Sequence, residues 1–239
     1  MNQLLTQAKD NVSFLLITAV VILAVALGAR LVENRFEHLR HVTPARRVSI
    51  IGICSAIAVV LHVLDFPLIF LAPEFYKLDF SELPVLLGGF FLGPSAAVAI
   101  EGIKILLKLL LKGTSTAFVG DFANFFVGCC FVLPATVWYH LHKNKKGAIV
   151  GLVIGTLTMT VIGTAFNAVY LLPKFSQLYG IPMEALIGMG TKIHGGVHGV
   201  FSFVALCVAP LNLVKGGLVS LLTMLLYKRV AGPLFRVHE

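Results

Sequence analysis

The chain has 239 residues, of which 58% are hydrophobic and only 13% charged, a balance well outside the range of soluble domains. It describes a polytopic membrane protein. The formal net charge of +8 calls for no nucleic-acid partner, because the basic residues gather at the ends of apolar segments, where the positive-inside rule places them.

Segments of bilayer length fall at about 13–33, 47–72, 83–112, 118–142, 148–172 and 197–227. The third is long enough for two spans turned at "LGPS", which makes seven helices. These are continuous apolar runs, not ten-residue alternations, so a closed β-barrel is not expected. The first segment is too long for a signal-peptide core and no small-residue cleavage site follows it, so it reads as a retained helix. After it comes "ENRFEHLRHVTPARR", a polar, arginine-rich linker and the natural boundary in the chain. The expected organisation is an N-terminal helix with its basic linker at 1–45, and a six-helix unit at 46–239.

Basic clusters in that linker, in "HLHKNKKG" and in the tail from "YKR" all fall on one side of a six-helix unit, which is then the cytoplasmic side. The opposite loops, "APEFYKLDFSE", "KGTSTAFVGD" and "LPKFSQLYGIPMEALIGMGTKIHGG", are longer and richer in Gly, Pro and aromatic residues, as ligand-binding loops tend to be.

Two polar side chains interrupt the apolar helices at a similar depth. Lys215 of "NLVKGG" precedes Lys228 by thirteen residues, roughly 20 Å of helix, which places it in the outer half of a core about 30 Å thick. Asn167 lies about 9 Å below the outer end of its helix. An ammonium at this depth costs several kcal/mol unless compensated. Lys215 therefore either binds a ligand or joins an internal ion pair with Glu101 or Asp79, since snorkelling belongs to helix ends. Thr156, Thr160, Gly163 and Asn167 share one helical face. For the threonines a small-residue packing stripe is the expected role; Asn167 fits ligand binding and helix bridging equally.

Glu101, Lys104 and Lys108 also share a face, and the first two can neutralise each other. His194 and His198 have i, i+4 spacing, yet "HGGVH" lacks a zincin glutamate and a third ligand, so no metal is expected. Cys54, Cys129, Cys130 and Cys207 sit in apolar segments without CxxC spacing and read as buried thiols. There is no P-loop, GxSxG or HExxH motif. The expectation is a passive binder that needs an energised partner, not an enzyme.

Four stretches carry a resemblance: "LDFSELPVLLGGFFLGP" (78–94), "GDFANFFVG" (120–128), "GTLTMTVIGTAFNAVYLLPKF" (155–175) and "VAPLNLVKGGLVSLLTMLLYKR" (208–229). They resemble, in order and placement, the riboflavin-specific S components of energy-coupling factor (ECF) transporters, from about residue 46 to the C-terminus. The resemblance implies an all-α, six-helix S-component core in the cell membrane, preceded here by one extra transmembrane helix. It implies that Asn167 and Lys215 contact the flavin ring, that the loop with Leu78, Asp79 and Phe80 covers the vitamin, and that Asn124 lines the pocket. It also implies delivery of riboflavin by docking on a membrane scaffold subunit driven by two ATPases, through Gly52 and Ala56 of the first core helix. Riboflavin would be cargo, and no resident cofactor is expected.

The chain departs from the family's usual pattern in the helix at 13–33, in Ile105 after a lysine where many members have Asn, and in His194 and His198. Alternatives are an S component for another vitamin or for a phosphorylated flavin, and an intramembrane enzyme using Glu101 or His198.

Overall fold

A computed structural model describes residues 12–39 and 42–235. The first eleven residues of the expected N-terminal unit and residues 40 and 41 of its linker lie outside the described residues. The helices are α1 (Val12–Glu33), α2 (Pro44–Val63), α3 (Glu82–Leu92), α4 (Pro94–Lys112), α5 (Val119–Leu141), α6 (Lys145–Phe166), α7 (Leu172–Tyr179), α8 (Met183–Thr191), α9 (Val200–Phe203) and α10 (Ala209–Phe235). A two-residue antiparallel pair, β1 (Phe66–Pro67) and β2 (Lys77–Leu78), shapes the loop between α2 and α3. The architecture is an all-α membrane bundle.

Among the described residues five helical runs are long and apolar enough to cross a bilayer: Leu16–Glu33, Pro44–Val63, Val119–Leu141, Lys145–Tyr179 and Val200–Tyr227. The two longest are each built from two helices joined by a π turn, at Asn167–Leu171 and at Val204–Val208. Both turns close immediately before a proline. Leu172 N donates to Asn167 O ahead of Pro173, and Ala209 N donates to Val204 O ahead of Pro210. A proline ring clashes with the carbonyl four residues earlier and offers no N–H to it. A widened turn keeps the helix continuous past that obstacle.

Two expected segments differ in extent. The run 47–72 stays helical only to Val63, because Pro67 and the residue before it favour extended backbone. The stretch 83–112 does turn where expected, at Gly93, whose φ of +106° only glycine adopts without strain. Its first arm, however, is the eleven-residue α3, roughly 16 Å long. What precedes α3 is not a surface loop: Leu78, Asp79 and Ser81 are buried. Irregular backbone at membrane depth is tolerated where protein surrounds it or where it lines a cavity.

The bundle closes at the end that carries the linker and the α5–α6 turn. There Leu86, Phe90, Phe131, Val132, Tyr139 and Leu152 form one buried cluster. The hydroxyls of Tyr139 and Tyr227 meet at 3.0 Å, and His140 Nε2 lies 2.9 Å from Gly89 O. On α1, Ala29 joins Val98, Ile105, Phe125 and Cys129 in a further cluster. Glu33 Oε2 accepts from Ser95 N at 2.8 Å, and its Oε1 accepts from Arg47 at 2.7 Å.

Candidate functional site

At the opposite end the helices part around a cavity of about 530 Å³. Its mouth carries Asp65, Lys77, Lys112, Thr114–Thr116 and the exposed Asn124; its deeper wall carries Tyr76, Asp79, Asn167, Asn212 and Lys215; Phe75, Val127, Leu171, Phe175 and Leu211 supply apolar surface. Cavities of 300–1,000 Å³ lined by apolar side chains with a few placed polar groups suit small-molecule ligands.

Asn167 and Lys215 come together in this cavity from different helices. The π turn sets Asn167, which is buried. Its Nδ2 donates to Gly163 O at 2.8 Å, and its Oδ1 accepts from the Tyr76 hydroxyl at 2.8 Å. Each bond uses one of the two hydrogens or one of the two lone pairs, so the amide keeps a donor and an acceptor for a ligand.

Lys215 reaches the cavity wall from α10. Its Nζ donates to Asp79 Oδ2 at 3.1 Å and to Glu82 Oε1 at 2.9 Å. The compensation of this buried cation is therefore carboxylate, from the segment before α3 and from the first residue of that helix. Of the two ion-pair partners weighed from sequence, Asp79 pairs with Lys215, while Glu101 pairs with Lys104 at 2.5 Å. Two of the three ammonium hydrogens are used, leaving one for a ligand.

The carboxylates belong to a larger buried network. Lys104, with no exposed surface, donates to Ser81 Oγ at 2.9 Å and lies 3.5 Å from Glu82 Oε1. Glu82 thereby bridges two lysines on different helices. His62 Nδ1 sits 3.4 Å from Asp79 Oδ2. Gly128 leaves room for the Glu101 carboxylate, into which a Cβ would run. Lys108 pairs with Asp121 at 2.5 Å. Glu101, Lys104 and Lys108 thus hold α4 against its neighbours.

The remaining expected positions separate. Asp79 lines the cavity, whereas Leu78 is fully buried outside its wall and the Phe80 ring packs toward Phe66 at 6.1 Å. Asn124 is exposed at the cavity and donates to Gly120 O at 3.1 Å. Thr160 bonds back to Thr156 O at 2.8 Å, as a packing stripe requires. Gly52 and Ala56 are exposed on α2, and neither lines the cavity. His194 Nε2 contacts Leu71 O at 3.3 Å and the His198 backbone N–H donates to Ser202 Oγ; among the described residues no cluster of three metal-ligating side chains forms.

Sequence reasoning missed Asn212. It is buried, lines the cavity, and its Nδ2 has no hydrogen-bond partner among the described residues. An unmatched buried amide costs about 1–3 kcal/mol, so a pocket that keeps one has a use for its donors. Its position three residues before Lys215, on the same helical face, was a readable signal.

The chain is similar to known proteins in both sequence and fold. Residues 46–227 match the family model "ECF transporter, substrate-specific component". Riboflavin transporter RibU of Staphylococcus aureus is 34% identical over 192 residues, spanning 80% of this chain and 94% of the relative. Riboflavin transporter FmnP of Bacillus subtilis is 29% identical over 183 residues, 76% of this chain and 90% of the relative. A solved structure described as the S component of a bacterial ECF transporter superposes with a TM-score of 0.63 at 36% identity, covering 81% of this chain and all of that one. Together with the multi-pass bundle and its polar cavity, these matches place the chain among the substrate-specific components of ECF transporters.

Proposed function

We propose that this subunit captures riboflavin in the cavity between α5, α6 and α10 and hands it inward as part of an ECF transporter in the cell membrane. The observation that carries this reading is the convergence of Asn167, Asn212 and Lys215, each with hydrogen-bonding capacity to spare, in a cavity whose other wall is apolar. An isoalloxazine is a flat tricycle with one dimethylbenzene edge and one pyrimidine-dione edge. Lys215 and Asn212 donate to its carbonyls, Asn167 meets a carbonyl and N3–H together, and Phe175 and Leu211 face the hydrocarbon edge. The ribityl hydroxyls then point to the polar mouth at Thr114 and Thr116. Asp79 acts through Lys215, which it orients, and Asn124 offers its free carbonyl oxygen at the rim. The vitamin is cargo; neither a resident cofactor nor a covalent step is needed.

Delivery requires a scaffold subunit and two ATPases. The α2 face that presents Gly52 and Ala56 also exposes Val48, Ile53, Ile57 and Val60, and the open space at Gly52 lets another helix approach closely. Titration calorimetry with fluorescence quenching in detergent tests the capture step: riboflavin binds without ATP. A folded sample that gives neither heat nor quenching overturns the assignment. Tryptophan at Gly52 and Ala56 abolishes uptake by the reconstituted complex and spares binding; uptake by this subunit alone in liposomes contradicts the partner requirement.

A further inference from the structure

A second cavity, of about 730 Å³, lies at the other end of the bundle, between α1 and α4. It is a groove. Ile22, Ala26 and Arg30 of α1 form one wall, and Ser95, Val98, Gly102 and Leu106 of α4 form the other, with Arg47 at the closed end. The apolar part runs from Ser95 to Leu106, roughly 16 Å along the helix, which matches one leaflet of a hydrocarbon core about 30 Å thick. Gly102 contributes no side chain to the wall, and so leaves the middle of the groove open.

Charge is concentrated at one end only. Arg30 is exposed there and has no carboxylate partner among the described residues. Arg47 spends one nitrogen on Glu33 Oε1 and Ser95 Oγ, both at 2.7 Å, and keeps its other N–H groups. Glu33 is itself neutralised by Arg47 and by Ser95 N. Over the described part of 30–47, Arg30, Arg35, Arg46 and Arg47 outnumber Glu33 and Glu37. This end also carries the basic linker and the basic α5–α6 turn, so it sits at the cytoplasmic leaflet, where anionic lipid headgroups lie.

We infer that the α1–α4 groove is a binding site for one anionic glycerophospholipid of the cytoplasmic leaflet, its phosphate held by Arg30 and Arg47 and one acyl chain laid past Gly102. The site depends on α1, which is the helix preceding the family match at residue 46. A lipid wedged between α1 and α4 joins that helix to the substrate-binding core.

Native mass spectrometry of the full chain, released from nanodiscs of equimolar phosphatidylglycerol and phosphatidylcholine, tests the site. Wild type retains one phosphatidylglycerol several-fold more often than phosphatidylcholine. Arg30→Gln lowers that preference about fivefold, the equivalent of one arginine near an anionic surface. Gly102→Leu, whose side chain fills the groove, removes the retained lipid whichever headgroup is offered. Riboflavin binding by both variants serves as the check on folding. Millimolar inorganic phosphate leaves the lipid in place. Equal retention of the two lipids by wild type, an unchanged preference in Arg30→Gln, a lipid that survives Gly102→Leu, or displacement by free phosphate each overturns the proposal.

Discussion

The two ends of the bundle are built on opposite principles. At the cytoplasmic end, regular helices close over a buried cluster of Leu86, Phe90, Phe131, Tyr139 and Leu152. At the outer end, both long helical runs are interrupted by π turns, a non-helical segment dips in ahead of α3, and among the described residues six charged side chains (Asp79, Glu82, Glu101, Lys104, Asp121 and Lys215) are buried or nearly so. The pocket is made by departures from regular packing. Two of these irregularities turn a polar group inward: the first π turn sets Asn167, and the buried segment sets Asp79. A cavity open outward above a packed inner half can load from outside and cannot empty inward without a movement of the whole subunit or of its inner seal.

Replacing Lys215 by Met probes the outer end most severely. It removes a donor from the cavity and strands Asp79 and Glu82 without their cation. Riboflavin affinity falls about ten- to a hundred-fold, the value of a hydrogen bond from a charged donor, and stability falls by about 3–5 kcal/mol as a buried ion pair is broken. Adding Asp79→Asn and Glu82→Gln to the same chain recovers the melting temperature but not the affinity. Calorimetry and thermal unfolding on the single and triple variants check both halves; recovery of affinity in the triple variant would make Lys215 purely structural.

The inner end answers differently. Leu152→Ala opens a cavity in the closed cluster and costs about 2–5 kcal/mol, while riboflavin affinity in the remaining folded protein stays within about twofold. A loss of affinity as large as that of Lys215→Met would show that the two ends act as one unit, and would dissolve the distinction.

Much of this contrast was legible in the sequence, and the part that was not has physical causes. Lys215 and Asn167 were placed in the outer half from their distance to helix ends, and both line the cavity described there. The partners of Lys215 were harder, because Asp79 and Glu82 are 136 and 133 residues away in sequence and periodicity carries no information across separate elements. The short α3 was hidden because hydropathy counts apolar residues without measuring the depth at which the chain enters. The π turns were written as "LLP" and "AP", but a proline in a helix announces an interruption without saying that the helix will continue.

Asn212→Leu sharpens the picture at a single group. The substitution keeps the branched outline of the side chain and removes an amide that lacks a partner for its Nδ2. If that amide serves the ligand, affinity drops about twofold to tenfold, the range for a neutral hydrogen bond, and the empty protein becomes more heat-resistant because an unsatisfied polar group has gone. A variant with unchanged affinity and a lower melting temperature would assign Asn212 to helix bridging across to Gly163, its neighbour in the packing.

The smallest effect on binding is expected from deleting residues 1–40, which tests whether the helix before the family match is a separate unit from the substrate-binding core. All of α1 lies outside the wall of the outer cavity, so affinity stays within about twofold. Stability does not, because Glu33 leaves with the deletion. Its carboxylate is tied to Ser95 N and to Arg47, and hydrogen bonds to a charged group contribute about 1.5–3 kcal/mol. For a chain of this size that shift lowers the melting temperature by a few degrees. The measurement pairs a riboflavin titration with a melting curve on the truncated chain. Affinity lost by tenfold or more would mean that α1 holds the outer end in shape through α4, and that the boundary near residue 45 is one of sequence and not of folding.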